Sequence, residues 1–454
     1  MNLKSVLKEI KPSKEEEKEM NSFVSKILKT SRKISKIIKP IVCGSIAKDT
    51  WLSRRYELDL FLLFNPSFSK KQLEKKGLEI AKNIIKDLKG RYQIAFAEHP
   101  YLRGWVGKFQ VDIVPCYSIK DPEKIKSAVD RTPHHVRFVK RNLKKPDDVR
   151  ILKQFCIANN CYGADVKTLG FSGYLCELLI IKYGSFEKLV KDASKWRAGK
   201  MISFRKVNKE SILKKFKTPL IVIDPVDKNR NVSAVVSVEN FYKFVRYSKD
   251  FVRNPKKEFF FPRKTKPYSI DEIRKEVQKR GTRWYIIKFK KLKLLEDILY
   301  PQLRRCLSSI EKELEKNGFK VMNKCFWCNN NCVLAFEMET WQVPKISKNI
   351  GPNVFSKHAE EFLKHYKENK VYIEKENWVV ERERKFTTVL HFLKNLLNKS
   401  KKDLLEKGIP NKIAPLLGKS ELTAGGDVLK TITKLPEEFR SFLREWFERD
   451  LNVI

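Results

Sequence analysis

The spacing of apolar residues predicts the elements of the first part of the chain. Residues 1–38 and 70–88 carry apolar side chains at helical spacing, which predicts amphipathic helices. Four short apolar runs predict strands, at residues 41–42, 57–64, 92–97 and 109–117. Residues 98–105 are predicted to form a turn or an irregular continuation. Together these elements predict a small mixed α/β unit that ends near residue 140.

From residue 141 to residue 255 the pattern is mainly helical. Helices are predicted at residues 147–160, 172–183, 185–196 and 238–252, with a short strand at 220–223. Segment 172–183 is apolar almost all round, which is typical of a buried helix. Pro255 and the basic, aromatic stretch 256–264 mark a boundary.

Beyond that boundary helices and strands alternate. Ser269 and Glu272 make a capping box for a helix that reaches residue 280. The other predicted elements are a strand at 282–289, a helix at 301–317, hairpins at 324–343 and 371–386 around a helix at 356–369, and helices at 388–399 and 435–449. The chain is therefore predicted to be an α+β multidomain protein, with domains at 1–140, 141–255 and 256–454.

The balance of charges narrows the function. The chain has 454 residues, and its 96 Lys and Arg against 54 Asp and Glu give a net charge of +42. A basic surface of this size is typical of a protein that binds a polyanion, most simply nucleic acid. The alternative is the lysine-rich bias of a heat-adapted organism, but the acidic residues do not rise in step with the basic ones.

The sequence argues against secretion and membrane insertion. The first twenty residues lack the apolar core of a signal peptide, and no run of about eighteen apolar residues predicts a membrane span. The nine cysteines are scattered, so they are predicted to be reduced and the protein to be cytoplasmic. Cys325, Cys328 and Cys332 lack a well-spaced fourth ligand for zinc, and alternating positions on a hairpin explain them better.

Three carboxylates interrupt apolar strands. Glu57 and Asp59 are two residues apart and so point the same way, and Asp112 lies in a later apolar run that is predicted to pair close by. Buried like charges need a cation, and carboxylate oxygens suit Mg²⁺. Two such ions about 4 Å apart bind the attacking and leaving oxygens of an in-line phosphoryl transfer. Any one acid alone fits a simple ion pair with Lys or Arg, but all three beside Gly44-Ser45 predict catalysis.

Gly44-Ser45 opens a predicted helix start whose N–H groups can hold phosphate. With Glu-x-Asp twelve residues later and a third acid on a later strand, the chain resembles the nucleotidyltransferase superfamily that shares a DNA polymerase β-like core. Six segments resemble more closely the archaeal (class I) CCA-adding enzymes, which are tRNA nucleotidyltransferases: residues 44–52, 97–101, 111–117, 127–133, 170–179 and 224–232. Residues 299–303 and 384–388 extend the likeness more loosely.

The resemblance implies roles for matching positions. It implies a nucleotidyltransferase palm of mixed sheet and helices, a helical central domain that recognises the nucleotide, and α+β C-terminal domains that bind RNA. Glu57, Asp59 and Asp112 would be catalytic and would bind the metal, expected as two Mg²⁺ ions. The nucleotide-binding positions implied by the resemblance are Ser45, Lys48, Lys153 and Tyr162 for the triphosphate, Arg230 for the Watson–Crick edge of the base, and His99 and Arg131 as further active-site matches.

The implied function is template-independent addition of CCA to the 3′ end of tRNA, from CTP and ATP, with release of pyrophosphate. The C-terminal half would clasp the acceptor stem and the TΨC arm, and a homodimer is left open. Two alternatives remain. One is a poly(A) polymerase or another terminal RNA nucleotidyltransferase, and the other is a non-catalytic tRNA-binding protein with a relic fold.

Overall fold

The computed structural model describes residues 2–96, 100–262 and 266–448. The chain divides into two compact units, with the division between residues 264 and 265. Helices and strands occur in both units, so the predicted α+β class is confirmed. Among the described residues, no helix is both long enough and apolar enough to cross a membrane.

A five-stranded sheet forms the first part of the first unit. Its strands are β1 (Lys39–Cys43), β2 (Glu57–Phe64), β3 (Arg91–Phe96), β4 (Pro100–Val106) and β5 (Phe109–Tyr117), in the order β1-β2-β5-β4-β3. The pair β2 and β5 is parallel, and the other neighbours are antiparallel. The parallel pair therefore brings two segments that are distant in sequence side by side in the middle of the sheet.

Two of the four helices in this part of the chain cover one face of the sheet. The helices of this part are α1 (Leu3–Ile10), α2 (Lys14–Ile34), the single turn α3 (Gly44–Ala47) and α4 (Lys70–Asp87). Apolar residues of α2 and α4 pack with Leu58, Leu60 and Ile113 in one buried cluster. Because side chains alternate along a strand, residues 57, 59 and 112 lie on the opposite face.

The rest of the first unit is mainly helical. It contains α5 (Thr132–Asn142), α6 (Pro146–Ala158), α7 (Gly173–Tyr183), α8 (Phe186–Ala193), α9 (Lys209–Lys215) and α10 (Val238–Arg253), with strands β6 (Lys200–Ile202) and β7 (Leu220–Val222) in parallel. Ser172 caps the start of α7, and Gly184 ends it in the left-handed conformation. Helix α7 is buried in the apolar cluster of this region, as its sequence predicts.

The second unit is built on two antiparallel sheets. Its helices are α11 (Ile270–Arg280), α12 (Glu296–Lys316), α13 (Ala359–His365), α14 (Val389–Leu397), α15 (Lys401–Glu406), α16 (Ala414–Leu417), α17 (Asp427–Thr433) and α18 (Glu437–Glu448). Its strands are β8 (Arg283–Lys290), β9 (Val321–Cys328), β10 (Asn331–Met338), β11 (Ile346–Asn353), β12 (Lys370–Glu374), β13 (Asn377–Glu383) and β14 (Glu421–Ala424). The sheet orders are β14-β8-β10-β9 and β11-β13-β12. The predicted capping box of Ser269 and Glu272 starts α11.

Several predicted elements are wrong. Within the segment predicted as a turn or irregular stretch, the structure forms β4, whose residues Leu102 and Gly104 are buried between β3 and β5. The helix predicted from residue 301 begins at Glu296, and Pro301 lies inside it. The helix predicted at 356–369 is limited to α13, and β11, α15, α16, β14 and α17 were not predicted.

The prediction that three cysteines lie on one hairpin is confirmed, but the prediction that all the cysteines are reduced is not. Cys325 and Cys328 lie on β9 and Cys332 on β10, so the three do belong to one hairpin. However, Cys328 and Cys332 are opposite neighbours in the hairpin and form a disulfide, with a Cα–Cα distance of 4.2 Å. The prediction that all nine cysteines are reduced is therefore wrong for this pair.

Candidate active site

The three predicted catalytic carboxylates lie on neighbouring strands at the open face of the first sheet. In the parallel pairing of β2 with β5, Asp59 is directly beside Asp112, and Glu57 is beside Gln110. Neighbouring strands are roughly 4.8 Å apart, and paired residues point to the same face. The sheet therefore groups Glu57, Asp59 and Asp112 as the spacing in the sequence predicted.

The surroundings of Asp59 raise the pKa of its carboxyl group. It has no hydrogen-bond or ion-pair partner within the described ranges. Burial, and next the charge of Asp112, raise the pKa of Asp59 to about 6, although the cations of Lys48 and Arg103 oppose the rise. An uncompensated carboxylate beside a second one is an arrangement that a bound cation would relieve.

Gly44 makes room for this carboxylate. It begins α3 at a φ of +63°, a backbone conformation that costs a residue with a side chain about 1–2 kcal/mol. A Cβ atom at this position would be 1.7 Å from Oδ2 of Asp59. Glycine is therefore required here both by the backbone and by the approach of Asp59, and Ser45 follows it half-buried in the same turn.

Arg103 is a site residue that the sequence prediction missed. It lies beside Asp112 across β4 and β5, and its Nε and Nη2 atoms each donate to one Asp112 oxygen at 2.7 Å. Its Nη2 atom also donates to the Tyr101 hydroxyl at 3.1 Å. The alternation of buried Leu102 and Gly104 around Arg103 was the available signal, but it is informative only once this segment is known to be a strand.

The carboxylates fit a divalent metal in chemistry, although Arg103 now occupies part of their face. As the side chains stand, no three His, Cys, Asp or Glu residues in the described part of the chain are grouped to hold a metal ion. The donors are nevertheless hard carboxylate oxygens on adjacent strands, and Asp59 forms no ion pair within the described ranges. Glu57, Asp59 and Asp112 are therefore the residues that could hold a divalent cation.

A second group of predicted residues is buried where α3 meets the helical region. Nζ of Lys48 forms an ion pair with Glu177 of α7 at 2.5 Å, and the hydroxyl of Thr50 donates to the same carboxylate at 2.7 Å. Nζ of Lys153 donates to the carbonyl of Thr50 at 2.8 Å and to its hydroxyl at 3.1 Å. The sequence prediction missed Glu177, whose signal is a single carboxylate in an otherwise apolar helix.

Lys153 and Tyr162 lie together in this group. A Cβ atom on Gly173, the first residue of α7, would be 3.2 Å from the Tyr162 hydroxyl and 3.7 Å from Nζ of Lys153. Burial lowers the pKa of Lys153 to about 8 and raises the pKa of the Tyr162 hydroxyl. Lys153 is thus a buried cation, not the exposed helix lysine that was the simplest alternative.

The third group is formed by the loop after β7 and by Arg131, which contacts that loop. Arg230 donates from Nη1 to Asp224 at 2.7 Å, and Arg131 donates from Nε to Asp227 at 2.9 Å. Both predicted nucleotide-binding arginines are therefore held by carboxylates of one short loop. The remaining predicted residue, His99, lies outside the described residues.

The charge of Lys48 connects the three groups. It acts on the pKa values of Asp59, of Lys153 and of His135, which contacts Asp224. The Nζ atom of Lys48 also lies 5.7 Å from the centre of the Tyr174 ring, and the Tyr174 hydroxyl donates to Asp224 of the arginine loop. The structure brings the described predicted residues to one region of the first unit.

Three family models match successive parts of the chain. They are a nucleotidyltransferase domain over residues 24–135, the second domain of tRNA nucleotidyltransferase over residues 147–261, and the C-terminal domain of CCA-adding enzyme over residues 280–413. A solved structure of a cytoplasmic RNA terminal U-transferase aligns at 14% identity with a TM-score of 0.44, over 57% of this chain and 93% of that chain. That last likeness is too weak to bear on function.

Curated relatives match nearly the whole chain. The CCA-adding enzyme of Methanocaldococcus jannaschii is 42% identical over 444 residues, which cover 94% of this chain and 96% of that protein. The CCA-adding enzyme of Methanothermobacter thermautotrophicus is 35% identical, over 89% of each chain. That of Archaeoglobus fulgidus is 39% identical over 77% of this chain and 79% of that protein. The chain therefore belongs to the CCA-adding enzymes, a family of nucleotidyltransferases.

Proposed function

We propose that this protein adds CCA to the 3′ end of tRNA without a nucleic acid template, taking C from CTP and A from ATP. One observation carries the chemistry: Asp59 and Asp112 stand side by side on parallel strands, next to the Gly44-Ser45 turn, and Asp59 forms no ion pair within the described ranges. The family supports the choice of tRNA and nucleoside triphosphates as substrates.

The three carboxylates are proposed to hold the divalent ions that contact the reacting oxygens. Divalent ions held by Glu57, Asp59 and Asp112, which we propose are two Mg²⁺ ions, would supply Lewis-acid stabilisation of the attacking and leaving oxygens. The 3′ hydroxyl of the tRNA attacks the α-phosphate, and pyrophosphate leaves. We expect Asp112 to bind a metal ion when Arg103 releases the two hydrogen bonds that it donates to this carboxylate.

The other residues are proposed to hold the nucleotide. Ser45, Lys48, Lys153 and Tyr162 contact the triphosphate, because hydroxyl and ammonium donors satisfy phosphate oxygens. Lys48 and Lys153 are bound to Glu177 and Thr50, so we expect them to exchange those partners for phosphate. Arg230 reads the base, and Arg131 and His99 complete the proposed site.

The remaining chain is proposed to carry the tRNA. The surplus of basic residues suits the phosphate backbone, and the second unit would hold the acceptor stem and the TΨC arm. We keep the division into domains at 1–140, 141–255 and 256–454 as a proposal, together with a cytoplasmic location and the option of a homodimer.

The test offers the purified protein tRNA that ends at the discriminator base, at the first C or at the second C. Each labelled nucleoside triphosphate is supplied in turn with Mg²⁺, and the products are resolved at single-nucleotide length. We expect C, C and then A, and no addition to tRNA that already ends in CCA. Repeated addition of A to any RNA would instead favour a poly(A) polymerase, and absence of pyrophosphate release would favour a non-catalytic tRNA-binding protein.

A further inference from the structure

The loop that carries Arg230 is held by one buried carboxylate. Asp224 and Arg230 lie at the two ends of the loop, and the backbone N–H of Asp224 donates to the carbonyl of Arg230 at 3.0 Å. The Asp224 side chain is 0% exposed, whereas the Arg230 side chain is 36% exposed. One end of the guanidinium is therefore anchored in the protein interior, while the rest of the group opens to solvent.

Asp224 itself cannot move freely. Its Oδ2 atom contacts Nη1 of Arg230 at 2.7 Å and Nε2 of His135 at 2.9 Å. Its Oδ1 atom accepts from the Tyr174 hydroxyl at 3.1 Å and from the backbone N–H of Val226 at 2.9 Å. The rings of His135 and Tyr174 stack at 4.0 Å, so the two side-chain donors also support each other. A carboxylate with four donors has one fixed orientation.

This arrangement leaves specific donors of Arg230 available. Its Nε and Nη2 atoms have no hydrogen-bond partner in the described part of the chain. Cytosine N3 and adenine N1 are acceptors, whereas uracil N3 and guanine N1 carry hydrogens that a guanidinium, which only donates, would oppose. The difference selects C and A only if the donor edge stays in place, and a free arginine side chain has large rotamer freedom.

We propose that Asp224 is a positioning residue for base selection. It fixes the guanidinium of Arg230 so that the free N–H groups of that side chain can hydrogen-bond to C and A but not to U and G. The inference rests on the proposed function. It assigns to Asp224 a role that acts only through Arg230. Asp224 does not touch the nucleotide in this proposal, so its loss should change selectivity more than the maximal rate.

The experiment measures kcat/KM for CTP and UTP on tRNA that lacks CCA, and for ATP and GTP on tRNA that ends in CC. The proteins are wild type, Asp224→Asn, Arg230→Ala and the double variant. We expect Asp224→Asn to lower both selectivity ratios about tenfold, the value of one hydrogen bond of about 1.4 kcal/mol. We expect the double variant to match Arg230→Ala, because neighbouring residues that act as one unit are not additive.

The matched control is Asp192→Asn. Asp192 is also a carboxylate with three side-chain donors in the helical region, from Tyr183 and Trp196 at 2.7 Å and Lys200 at 2.9 Å. Within the described ranges it forms no hydrogen bond or ion pair with the loop of Arg230. Its loss should leave both ratios unchanged. A general loss of structure would lower activity with all four nucleotides in both variants and would not change the ratios.

Two results would overturn the inference. One is that Asp224→Asn keeps the wild-type selectivity ratios. The other is that the double variant has selectivity ratios about tenfold lower than those of Arg230→Ala. If circular dichroism shows that Asp224→Asn does not fold, Tyr174→Phe removes one of the four donors to Asp224 instead, and an unchanged ratio there would also overturn the inference. A wild-type protein that adds neither C nor A would refute the proposed function itself, which separates the two failures.

Discussion

Replacement of Asp59 by asparagine should stabilise the metal-free protein and abolish its activity. Asp59 lies half-buried beside Asp112 and has no hydrogen-bond or ion-pair partner within the described ranges, so in the absence of a cation its charge is a net cost to the folded state in spite of the charges of Lys48 and Arg103. Asparagine has nearly the same shape and no charge. The substitution therefore removes a repulsion without removing a contact, while it takes away a proposed metal ligand.

The magnitude follows from the pKa. Burial raises the pKa of Asp59 from 3.8 to about 6, which corresponds to about 3 kcal/mol at about 1.4 kcal/mol for each pKa unit. The folded state binds the proton more tightly than the unfolded state. Stability is therefore lost as the pH rises from 3.8 to about 6, and the whole penalty is present above that range.

Thermal unfolding in EDTA tests this expectation. At pH 7.5 we expect Asp59→Asn to raise the Tm of the first unit by roughly 6–12 °C, and the gain should shrink as the pH falls through 6 toward 4. Mg²⁺ should raise the Tm of wild type and not that of the variant, because a ligand stabilises only the protein that binds it. CCA addition by the variant should be absent at every pH.

The control substitution, Asp192→Asn, should change the stability of the protein in the opposite direction. The hydrogen bonds to Asp192 lower its pKa to about 2 in spite of partial burial, so Asp192→Asn should destabilise the protein at neutral pH. An Asp59→Asn protein that is no more stable than wild type in EDTA at pH 7.5 would refute the reasoning. So would a stability gain that stays constant down to pH 4, because a gain without pH dependence cannot come from the charge.

Three further predictions concern the same site. Asp112→Ala should abolish nucleotide addition and leave the Kd for tRNA within about twofold, and wild-type turnover would contradict the metal assignment. Gly44→Ala should lower the Tm and reduce kcat far more than Gly107→Ala. The two glycines have similar φ values, +63° and +56°, but only at Gly44 would a Cβ atom lie 1.7 Å from Asp59. Equal effects of the two substitutions would mean that the close approach is irrelevant. Lys153→Met should raise KM for CTP and ATP alike by about tenfold, the value of a charge-assisted hydrogen bond to phosphate, and a KM unchanged for both would exclude the triphosphate role.

Much of the fold was predictable because its signals are local. Helix α7 is apolar almost all round and capped by Ser172, and the capping box of Ser269 and Glu272 lies within four residues. The failures arose where non-local partners decide the structure. Strand β4 contains an arginine and a glycine that do not look like a buried strand, yet Arg103 is neutralised by Asp112 and Gly104 allows Ile85 to pack closely.

In the candidate site, too, the local features were predictable and the long-range contacts were not. Sequence alone determined that Glu57 and Asp59 share a strand face, that Asp112 interrupts another apolar strand, and that Gly44 precedes them in a turn, since these depend on spacing of a few residues. Only the tertiary structure decided the register that sets Asp59 directly opposite Asp112, and that Arg103 holds Asp112, Glu177 holds Lys48 and Asp224 holds Arg230. Each of those contacts depends on strand register, loop closure or helix packing, which the periodicity of a single segment does not specify.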